Sequence, residues 1–325
     1  MTRSRLAALA VVALAVALLA LWLSSRSGAP EGGLAGTRVL PDLEARLNDV
    51  TSVRLAAKGA SVTLARAGDA WVVEERAYAA DTAKLRKLLL GLAKLAVIEQ
   101  KTRNPASYPQ LGVEDPGPTA TGTRVDVVTP AKTFSLIVGK NTGSVGSFVR
   151  VPGSAQSLLA GPELSVAADP KQWIDTALAD ILADRIKAVA VKPQAGPAWQ
   201  AKRDAATAAL MLYDLPKGKT QRSADGVTPV AAMLVGLHVE DVQAAPTADP
   251  DRGAPHVALT TFDGLEIGLW GRADGDHRYI RGDARSTGTA TAKEAAALAQ
   301  RLAGREFEIP RYKYDALFRP LADFT

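Results

Sequence analysis

The chain has 325 residues, of which 47% are hydrophobic and 22% are charged, so it can bury sizeable cores and is not a disordered polymer. Its net charge of +5 is mild for this length, and no run of five Lys or Arg occurs, which argues against nucleic-acid binding. Cysteine is absent, which excludes disulfides, thiolate metal sites, a cysteine nucleophile and lipid attachment through cysteine.

An unbroken apolar run near the N-terminus begins at Leu6 and ends at Leu23. As a helix it would be about 27 Å long, close to the hydrocarbon thickness of a bilayer. A cleaved signal peptide is the alternative, but its apolar core would be shorter and would end at a pair of small residues. Because Arg3 and Arg5 precede the run, we expect a single-pass anchor in the bacterial inner membrane, with a cytoplasmic N-terminus and a periplasmic main body.

The stretch SLIVGKNTGSVGSFVRV (residues 135–151) raises the question of a phosphate-binding loop. Such a loop needs a glycine five positions before Gly139, where the chain has Phe134. It also needs a hydroxyl after Lys140, where the chain has Asn141. The stretch is instead typical of a β-hairpin with a turn rich in Gly and Asn.

The hairpin pattern recurs later in the chain, in IGLWGRADGDHRYIRGDA (residues 267–284). The matching positions are Gly139 and Gly271, Lys140 and Arg272, and, after a one-residue deletion, Arg150 and Arg281. Similar strand patterns precede both hairpins at a constant offset, so the spacing predicts an internal duplication. We expect Gly139 and Gly271 to end matching strands and to need backbone angles that a side chain resists.

Several helices are predicted from apolar spacing and capping residues. In the first copy Asp81 is the N-cap of an amphipathic helix, with the apolar face Leu85, Leu88, Leu89, Leu92 and Leu95. In the second copy a helix begins at Thr228 and runs through Met233, Leu234 and Leu237. Another helix is expected over residues 169–185, and a capping box from Thr291 to Glu294 begins one that ends at Gly304.

The predicted fold class is α+β: an N-terminal transmembrane helix followed by two tandem copies of an antiparallel-sheet-plus-helix unit. The expected domains are an anchor (residues 1–26), a tether and lead-in (27–47), the first repeat (48–168), a connecting helix (169–185), and the second repeat with a C-terminal helix and tail (186–325).

The motifs WVVEE, YPQLGVEDP, LIVGK, SFVRVPG and DPKQWIDTALADI occur in this order between residues 71 and 181. Their order resembles a domain-of-unknown-function family (DUF4340-type) of membrane-anchored bacterial envelope proteins. Members of that family often occur alongside auxiliary components of gliding-motility-type ABC transporters. The resemblance implies a membrane-tethered extracytoplasmic protein in a transport or envelope assembly, and it implies no catalytic residues.

Two sets of cations are candidate contact residues. Lys140, Arg150, Arg272 and Arg281 recur in the two hairpins, where they either stabilise the hairpin or contact an anion or a partner. Lys84, Lys87 and Lys94 are on the first amphipathic helix, either as its solvated face or as a contact to lipid head groups or an acidic partner. No metal ligands are predicted, because the three histidines lack ligand spacing. No catalytic or cofactor residues are predicted either, because the chain has no G-x-S-x-G motif and no phosphate-binding loop.

These observations favour a non-enzymatic accessory or scaffold subunit of an ABC-type transport or envelope complex, with protein partners and no nucleic acid. The alternative is a periplasmic binding module for an envelope polymer or a small ligand, with its site in the cleft between the repeats. A third hypothesis is an envelope hydrolase whose polar groups converge only in space.

Overall fold

The computed structural model of the protein describes residues 34–223, 226–246 and 253–325. Within these ranges no helix combines the length and the apolar character that a membrane span needs. The expected anchor between Leu6 and Leu23 lies outside the described residues.

The first half of the chain forms a nine-stranded antiparallel sheet, which we name the first sheet. Its strands are β1 (Ser52–Ala57), β2 (Ala60–Ala67), β3 (Ala70–Val73), β4 (Tyr78–Ala79), β5 (Ala96–Gln100), β6 (Thr123–Val128), β7 (Thr133–Asn141), β8 (Ser147–Arg150) and β9 (Ser157–Gly161). Their order across the sheet is β4-β3-β2-β1-β6-β7-β8-β9-β5. The edge strand β5 therefore pairs with β9, which is the last strand of this sheet in the chain, and not with a sequence neighbour.

The second half forms an eight-stranded antiparallel sheet, which we name the second sheet, and a two-stranded sheet beside it. The two-stranded sheet pairs β10 (Ala177–Ala179) with β14 (Leu237–His238). The strands of the second sheet are β11 (Ile186–Lys192), β12 (Trp199–Lys202), β13 (Met211–Tyr213), β15 (Asp241–Ala244), β16 (His256–Thr261), β17 (Leu265–Asp274), β18 (His277–Ser286) and β19 (Arg305–Glu308). Their order is β13-β12-β11-β16-β17-β18-β19-β15, so the edge strand β15 again pairs with the last strand of its sheet.

Helices are few among the described residues. They are α1 (Thr82–Lys94), α2 (Tyr108–Leu111), α3 (Thr228–Ala231), α4 (Ala292–Leu302) and α5 (Arg311–Leu317), joined by short 3-10 turns. The predicted α+β class is therefore wrong: the described chain is mostly antiparallel sheet, arranged in three sheets.

Helix α1 follows the sequence prediction. The Asp81 carboxylate accepts a hydrogen bond from the Lys84 amide, which satisfies one of the free N–H groups at the helix start. The residues that α1 buries are Leu85, Leu88, Leu89, Leu92 and Ala93. Their spacing places one apolar stripe in the hydrophobic core, as the helical period requires.

The connecting helix predicted over residues 169–185 is wrong. The segment begins with a 3-10 turn at Pro170–Gln172 and continues into strand β10. Its backbone groups pair with the chain before α1, because the Asp81 amide donates to Trp173 O and the Asp175 amide donates to Ala79 O. Trp173 is fully buried. The apolar residues of this segment are spaced as in a helix, but its long-range backbone hydrogen bonds take the place of helical ones.

The second amphipathic helix is much shorter than predicted. Helix α3 has four residues, and a 3-10 turn over Ala232–Leu234 follows it. The Thr228 hydroxyl accepts from the Leu210 amide and so does not cap the helix. Likewise, the predicted capping box of α4 does not form, because Thr291 contacts the Ser286 hydroxyl and Glu294 pairs with Arg185.

The two large sheets share one hydrophobic core, which includes buried side chains from both. At their junction the Tyr78 ring packs edge-on against the Phe307 ring, with 5.6 Å between centroids. The Arg76 guanidinium binds both oxygens of Asp241, at 2.6 and 2.9 Å. Burial raises the pKa of the Tyr78 hydroxyl to about 12. These contacts join the two sheets firmly.

Candidate functional site: an arginine cleft on the second sheet

Arg150 in β8 is enclosed by its own chain. Its side chain is almost fully buried, its Nε donates to Val113 O at 2.8 Å, and its Nη1 donates to Ser154 O at 3.1 Å. Its Nη2 lies 2.8 Å from the Asp115 carboxylate, an ion pair without hydrogen-bond geometry. The guanidinium carbon is 4.7 Å from the centroid of the Tyr108 ring. Arg150 is therefore a structural residue of the first sheet.

The segment that encloses Arg150 is residues 105–115, which we name the crossing segment. It lies across β7 so closely that a methyl group on Gly139 would overlap Leu111 O. Gly122 faces Gly112 O in the same way. Lys140 is exposed, and its Nζ donates to Gln110 O at 2.9 Å. Lys140 and Arg150, the candidate anion or partner contacts of the first copy, therefore hold the crossing segment in place.

Gly139 and Gly271 lie inside strands β7 and β17, not at their ends. Neither has the positive φ that favours glycine, so the backbone-angle explanation is wrong. Close packing is the reason instead: a methyl group on Gly271 would lie 2.6 Å from the Phe318 ring and 2.7 Å from the Tyr314 hydroxyl. Neither position therefore has room for a side chain. Main-chain oxygens fill the space at Gly139, and aromatic side chains fill it at Gly271.

Arg281 occupies in the second sheet the place that Arg150 has in the first. Arg150 pairs across the hairpin with Ile137, and Arg281 pairs with Trp270. The register of β7 and β8 shifts between Val138 and Asn141, whereas β17 and β18 stay in register to their turn. In the sequence alignment Lys140 corresponds to Arg272, but Lys140 lies at the register shift of β7 and β8, which β17 and β18 lack.

Arg272 is fixed by a buried carboxylate. Its Nε and Nη2 each donate to Glu306, both at 2.8 Å, and its guanidinium lies 4.3 Å from the Tyr279 ring centroid. The Glu306 side chain is 3% exposed and also accepts from the Gln243 amide at 2.9 Å. The third arm of Arg272 reaches the exposed Asp274 at 3.0 Å. This bidentate pair stiffens the wall of a cleft.

The cleft has a volume of about 680 Å³ and runs beside the end of β17 and helix α5; we name it the arginine cleft. The side chains that define its character are Trp270, Arg272, Arg278, Arg281, Glu306 and Tyr314. Three cations and two aromatic rings thus line a pocket of the size that usually holds a ligand. Arg278 lies 5.8 Å from the Tyr314 ring centroid, which links the two kinds of group.

Three ionisable groups of the cleft, Arg272, Glu306 and Tyr314, have shifted pKa values. The hydrogen bond to Glu306 raises the pKa of Arg272. Desolvation pushes the pKa of Glu306 upward, but hydrogen bonds from Arg272 and Gln243 outweigh it, so the net shift is downward. Burial raises the pKa of the Tyr314 hydroxyl. Near neutral pH the ion pair and the phenol therefore keep fixed protonation states.

The cations of helix α1 lie away from the arginine cleft. Lys84 donates to Gln172 O at 2.6 Å and lies over the Trp173 ring, so it packs locally. Lys87 and Lys94 are exposed on the solvent side of the helix. Across the described ranges no group of three or more His, Asp or Glu could hold a metal ion.

The sequence analysis identified two residues of the cleft, Arg272 and Arg281, as candidate contact residues and missed the others. Glu306 carried a weak signal, since it is an acidic residue next to Phe307 inside a short strand. Trp270 and Tyr314 carried none, because their proximity depends on how α5 packs beside β17.

Comparison with known proteins places the chain in one family. Searches of the curated proteins and of the solved structures each gave no match. The family model described as "Domain of unknown function (DUF4340)" matches residues 71–255, more than half of the chain. The matched region begins at Trp71 and covers the crossing segment and both edge strands β5 and β15. The chain therefore belongs to the DUF4340 family.

Proposed function

We propose that the protein is a non-enzymatic, membrane-anchored accessory subunit of an ABC-type transport or envelope complex, and that it acts by binding a partner on the periplasmic side. The observation that carries the binding role is the arginine cleft, a pocket of about 680 Å³. Three arginines and two aromatic rings line it, which suits binding of a partner better than proton transfer.

The cellular setting is supported by the sequence. The apolar run from Leu6 to Leu23 has the length of a bilayer span, and a short Gly-rich stretch follows it. The motif order that the chain shares with membrane-anchored envelope proteins supports an accessory role in transport. The firm junction at Arg76 and Asp241 supports a rigid body that a membrane complex could use as a scaffold.

Purification of the full chain from its native membranes tests this function. A C-terminally tagged chain, solubilised in mild detergent, is expected to remain in the membrane fraction and to carry transporter subunits at near-stoichiometric yield. A matched purification of an unrelated tagged single-span protein controls for passive co-purification. Tagged protein that fractionates without membranes, or that migrates alone, would refute the proposal.

A second candidate function is the binding of an envelope polymer or a small ligand between the two sheets. A depression of about 330 Å³ there is lined by Glu74, Glu75, Arg76 and Ala77 from one side and by Asp241, Val242, Gln243 and Ala244 from the other. The ion pair between Arg76 and Asp241 crosses it, and the hydrogen bond raises the pKa of Arg76. Thermal unfolding against a panel of sugars and anions tests this candidate: a stabilisation that Arg76→Ala removes would support it, and no stabilisation would exclude it.

A further inference from the structure

We propose that a groove beside helix α1 binds an anionic phospholipid of the membrane surface, with the lipid phosphate between two arginines. The groove has a volume of about 530 Å³, within the range of pockets that hold small ligands. The side chains that define its character are Leu47, Arg66, Trp71, Arg86, Leu89 and Leu90. We name it the α1 groove.

Three parts of the chain build the α1 groove. A 3-10 turn over Glu44–Asp49 supplies Leu47, strands β2 and β3 supply Arg66 and Trp71, and α1 supplies the rest. Arg66 lies directly opposite Trp71 in the pairing of β2 with β3, so both side chains are on the same face of the sheet. The groove therefore joins a cation and an aromatic ring of the sheet to one side of the helix.

The two arginines of the α1 groove carry charge that the described chain does not neutralise. The hydrogen bonds of the Arg66 guanidinium go to main-chain carbonyls, Asn48 O at 3.2 Å and Gly68 O at 3.3 Å. Arg86 is exposed and forms no ion pair with a described residue. Two guanidinium groups in one groove suit a phosphate, because arginine binds phosphate oxygens through paired N–H donors.

Acidic side chains stay outside the α1 groove. No carboxylate is among its described lining residues. Asp49 and Asp69 adjoin the lining in the chain and are exposed outside it, and Asp81 caps helix α1. Glu44, from the same 3-10 turn as Leu47, is 3.5 Å from Arg38. The charge of the lining is therefore positive, and a phosphate would meet complementary charge.

An exposed leucine stands among cations on the outer face of α1. Leu90 is 42% exposed, and residues three and four positions away share its helix face, so Arg86, Lys87 and Lys94 surround it. Lys87 and Lys94 are exposed as well. This pattern is typical of a helix at a membrane interface, where the apolar side chain enters the acyl region and the cations contact head groups. The half-buried Trp71 ring suits the same interface.

The length of the chain before the described body places a lipid surface nearby. Leu34, the first described residue, comes 11 residues after Leu23, the last residue of the apolar run. A fully extended chain of that length spans at most about 40 Å. With the apolar run in the bilayer, the body begins within that distance of the membrane, so membrane lipid is the phosphate source that the chain itself brings to the groove.

This inference names a lipid contact for the proposed membrane-anchored subunit, and it rests on that proposal. The two can fail separately, because lipid binding is measured in detergent without a transport complex. A chain that stays in membranes with transporter subunits but shows no preference for an anionic lipid would refute only the inference. A chain that fractionates without membranes would refute the proposed function, whatever lipid it binds.

Native mass spectrometry of the full chain in mild detergent measures the lipid preference. The probe is an equimolar mixture of phosphatidylglycerol and phosphatidylcholine, and the adduct with one lipid is expected to contain mainly phosphatidylglycerol. Arg66→Gln combined with Arg86→Gln should reduce this adduct about tenfold, because both guanidinium groups are lost. The matched control combines Arg54→Gln with Arg103→Gln, two exposed arginines outside the lining, and should leave the adduct unchanged.

A second measurement tests whether the α1 groove lies at the membrane. Because the chain has no cysteine, Leu90→Cys accepts a single environment-sensitive fluorophore. In nanodiscs that contain phosphatidylglycerol, its emission should shift to the blue, and lipids with a nitroxide near the head group should quench it. In nanodiscs of phosphatidylcholine alone both effects should be weaker. Phe262→Cys, at an exposed position of the second half, is the control and should show neither effect.

Three results would overturn the proposal. The first is an equal phosphatidylglycerol adduct in the native chain and in the Arg66 and Arg86 double variant. The second is equal emission of the label at position 90 in the two kinds of nanodisc. The third is displacement of phosphatidylglycerol by inorganic phosphate or by polyglutamate at the concentration of the lipid, which would assign the groove to a free anion or to an acidic polypeptide.

Discussion

Arg150 in the first sheet and Arg281 in the second occupy equivalent hairpin positions but have different surroundings. The first is buried under the crossing segment, and the second lines a cleft. The strand order around both is alike, so the sheets themselves do not account for the difference. The connection between the edge strand and the next strand of the sheet is twice as long in the first sheet, where it includes the crossing segment.

The difference shows how one hairpin can serve either stability or recognition. A long connection brings carbonyl, carboxylate and aromatic groups to the arginine from within the chain, at the cost of ordering its own residues. The connection of the second sheet is half as long, and the arginine at the equivalent position, Arg281, lines the arginine cleft.

The largest expected effect on stability is that of Gly139→Ala, which should exceed that of Gly271→Ala. Gly139→Ala should lower the free energy of unfolding by about 3 kcal/mol, because the added methyl group meets the backbone of the crossing segment. Gly271→Ala should cost less, about 1 kcal/mol, because its neighbours are side-chain atoms of Phe318 and Tyr314, which give way more readily than main-chain atoms. Urea midpoints of the two variants check this order. Equal midpoints would show that the crossing segment does not pack as described.

Loss of the buried carboxylate should have the next largest effect. Glu306→Gln should destabilise the fold by about 2 kcal/mol at pH 7, because two charge-assisted hydrogen bonds to Arg272 are weakened. Since the folded-state pKa of Glu306 is lowered, its stabilisation is present above the ordinary value of 4.5 and is lost as pH falls through the folded-state value.

The measurement is the urea midpoint of the wild type and of Glu306→Gln between pH 3 and pH 7. The difference between the urea midpoints of the wild type and of Glu306→Gln should become smaller as the pH falls. Gln243→Ala is a milder control, because it removes only the neutral hydrogen-bond donor to the same carboxylate. A constant gap across the range would mean that the Glu306 charge does not contribute to stability.

Lys140→Ala should change the free energy of unfolding by no more than about 0.5 kcal/mol, since Lys140 is exposed and makes one hydrogen bond to Gln110 O.

The addition of ATP with Mg²⁺ should leave the thermal midpoint of the wild type unchanged, because the loop lacks the glycine and hydroxyl of a phosphate-binding loop. Stabilisation by ATP that Lys140→Ala removes would revive the hypothesis of a phosphate-binding loop.

The smallest effect concerns an exposed histidine near the cleft. The hydrogen bond to Glu308, at 2.5 Å, raises the pKa of His277 above its ordinary value of 6.5. The pair therefore stabilises the fold below that value, and this contribution is lost as pH rises through the folded-state pKa. An NMR titration of the imidazole should give a midpoint above 6.5, and Glu308→Gln should lower it. An unchanged midpoint in the variant would assign the shift to another cause.

Local patterns predicted the structure well where neighbours in the chain determine it. The stripe of α1 and its Asp81 cap depend on spacing within one helix, and both are confirmed. The hairpin of β7 and β8 depends on a Gly- and Asn-rich turn, and it is confirmed as well. The failures occur where distant strands compete with local preference, as at Trp173, where pairing with the residues before α1 replaced the expected helix.

The candidate site was only partly predictable for the same reason. Arg272 and Arg281 were found because the hairpin recurs in sequence. Glu306 joins them from strand β19, and Tyr314 joins them from α5, through contacts that no local pattern shows. The enclosure of Arg150 likewise depends on the crossing segment, whose role is visible only in the folded chain.

The most direct test of this contrast is the urea midpoint of two matched variants, Arg150→Gln and Arg281→Gln. Arg150→Gln should lower the midpoint, at a cost of about 2 kcal/mol, because it leaves buried carbonyl groups without a charged donor. Arg281→Gln should lower the midpoint by less, because Arg281 is only partly buried. Equal effects of the two variants, or the reverse order, would contradict the account.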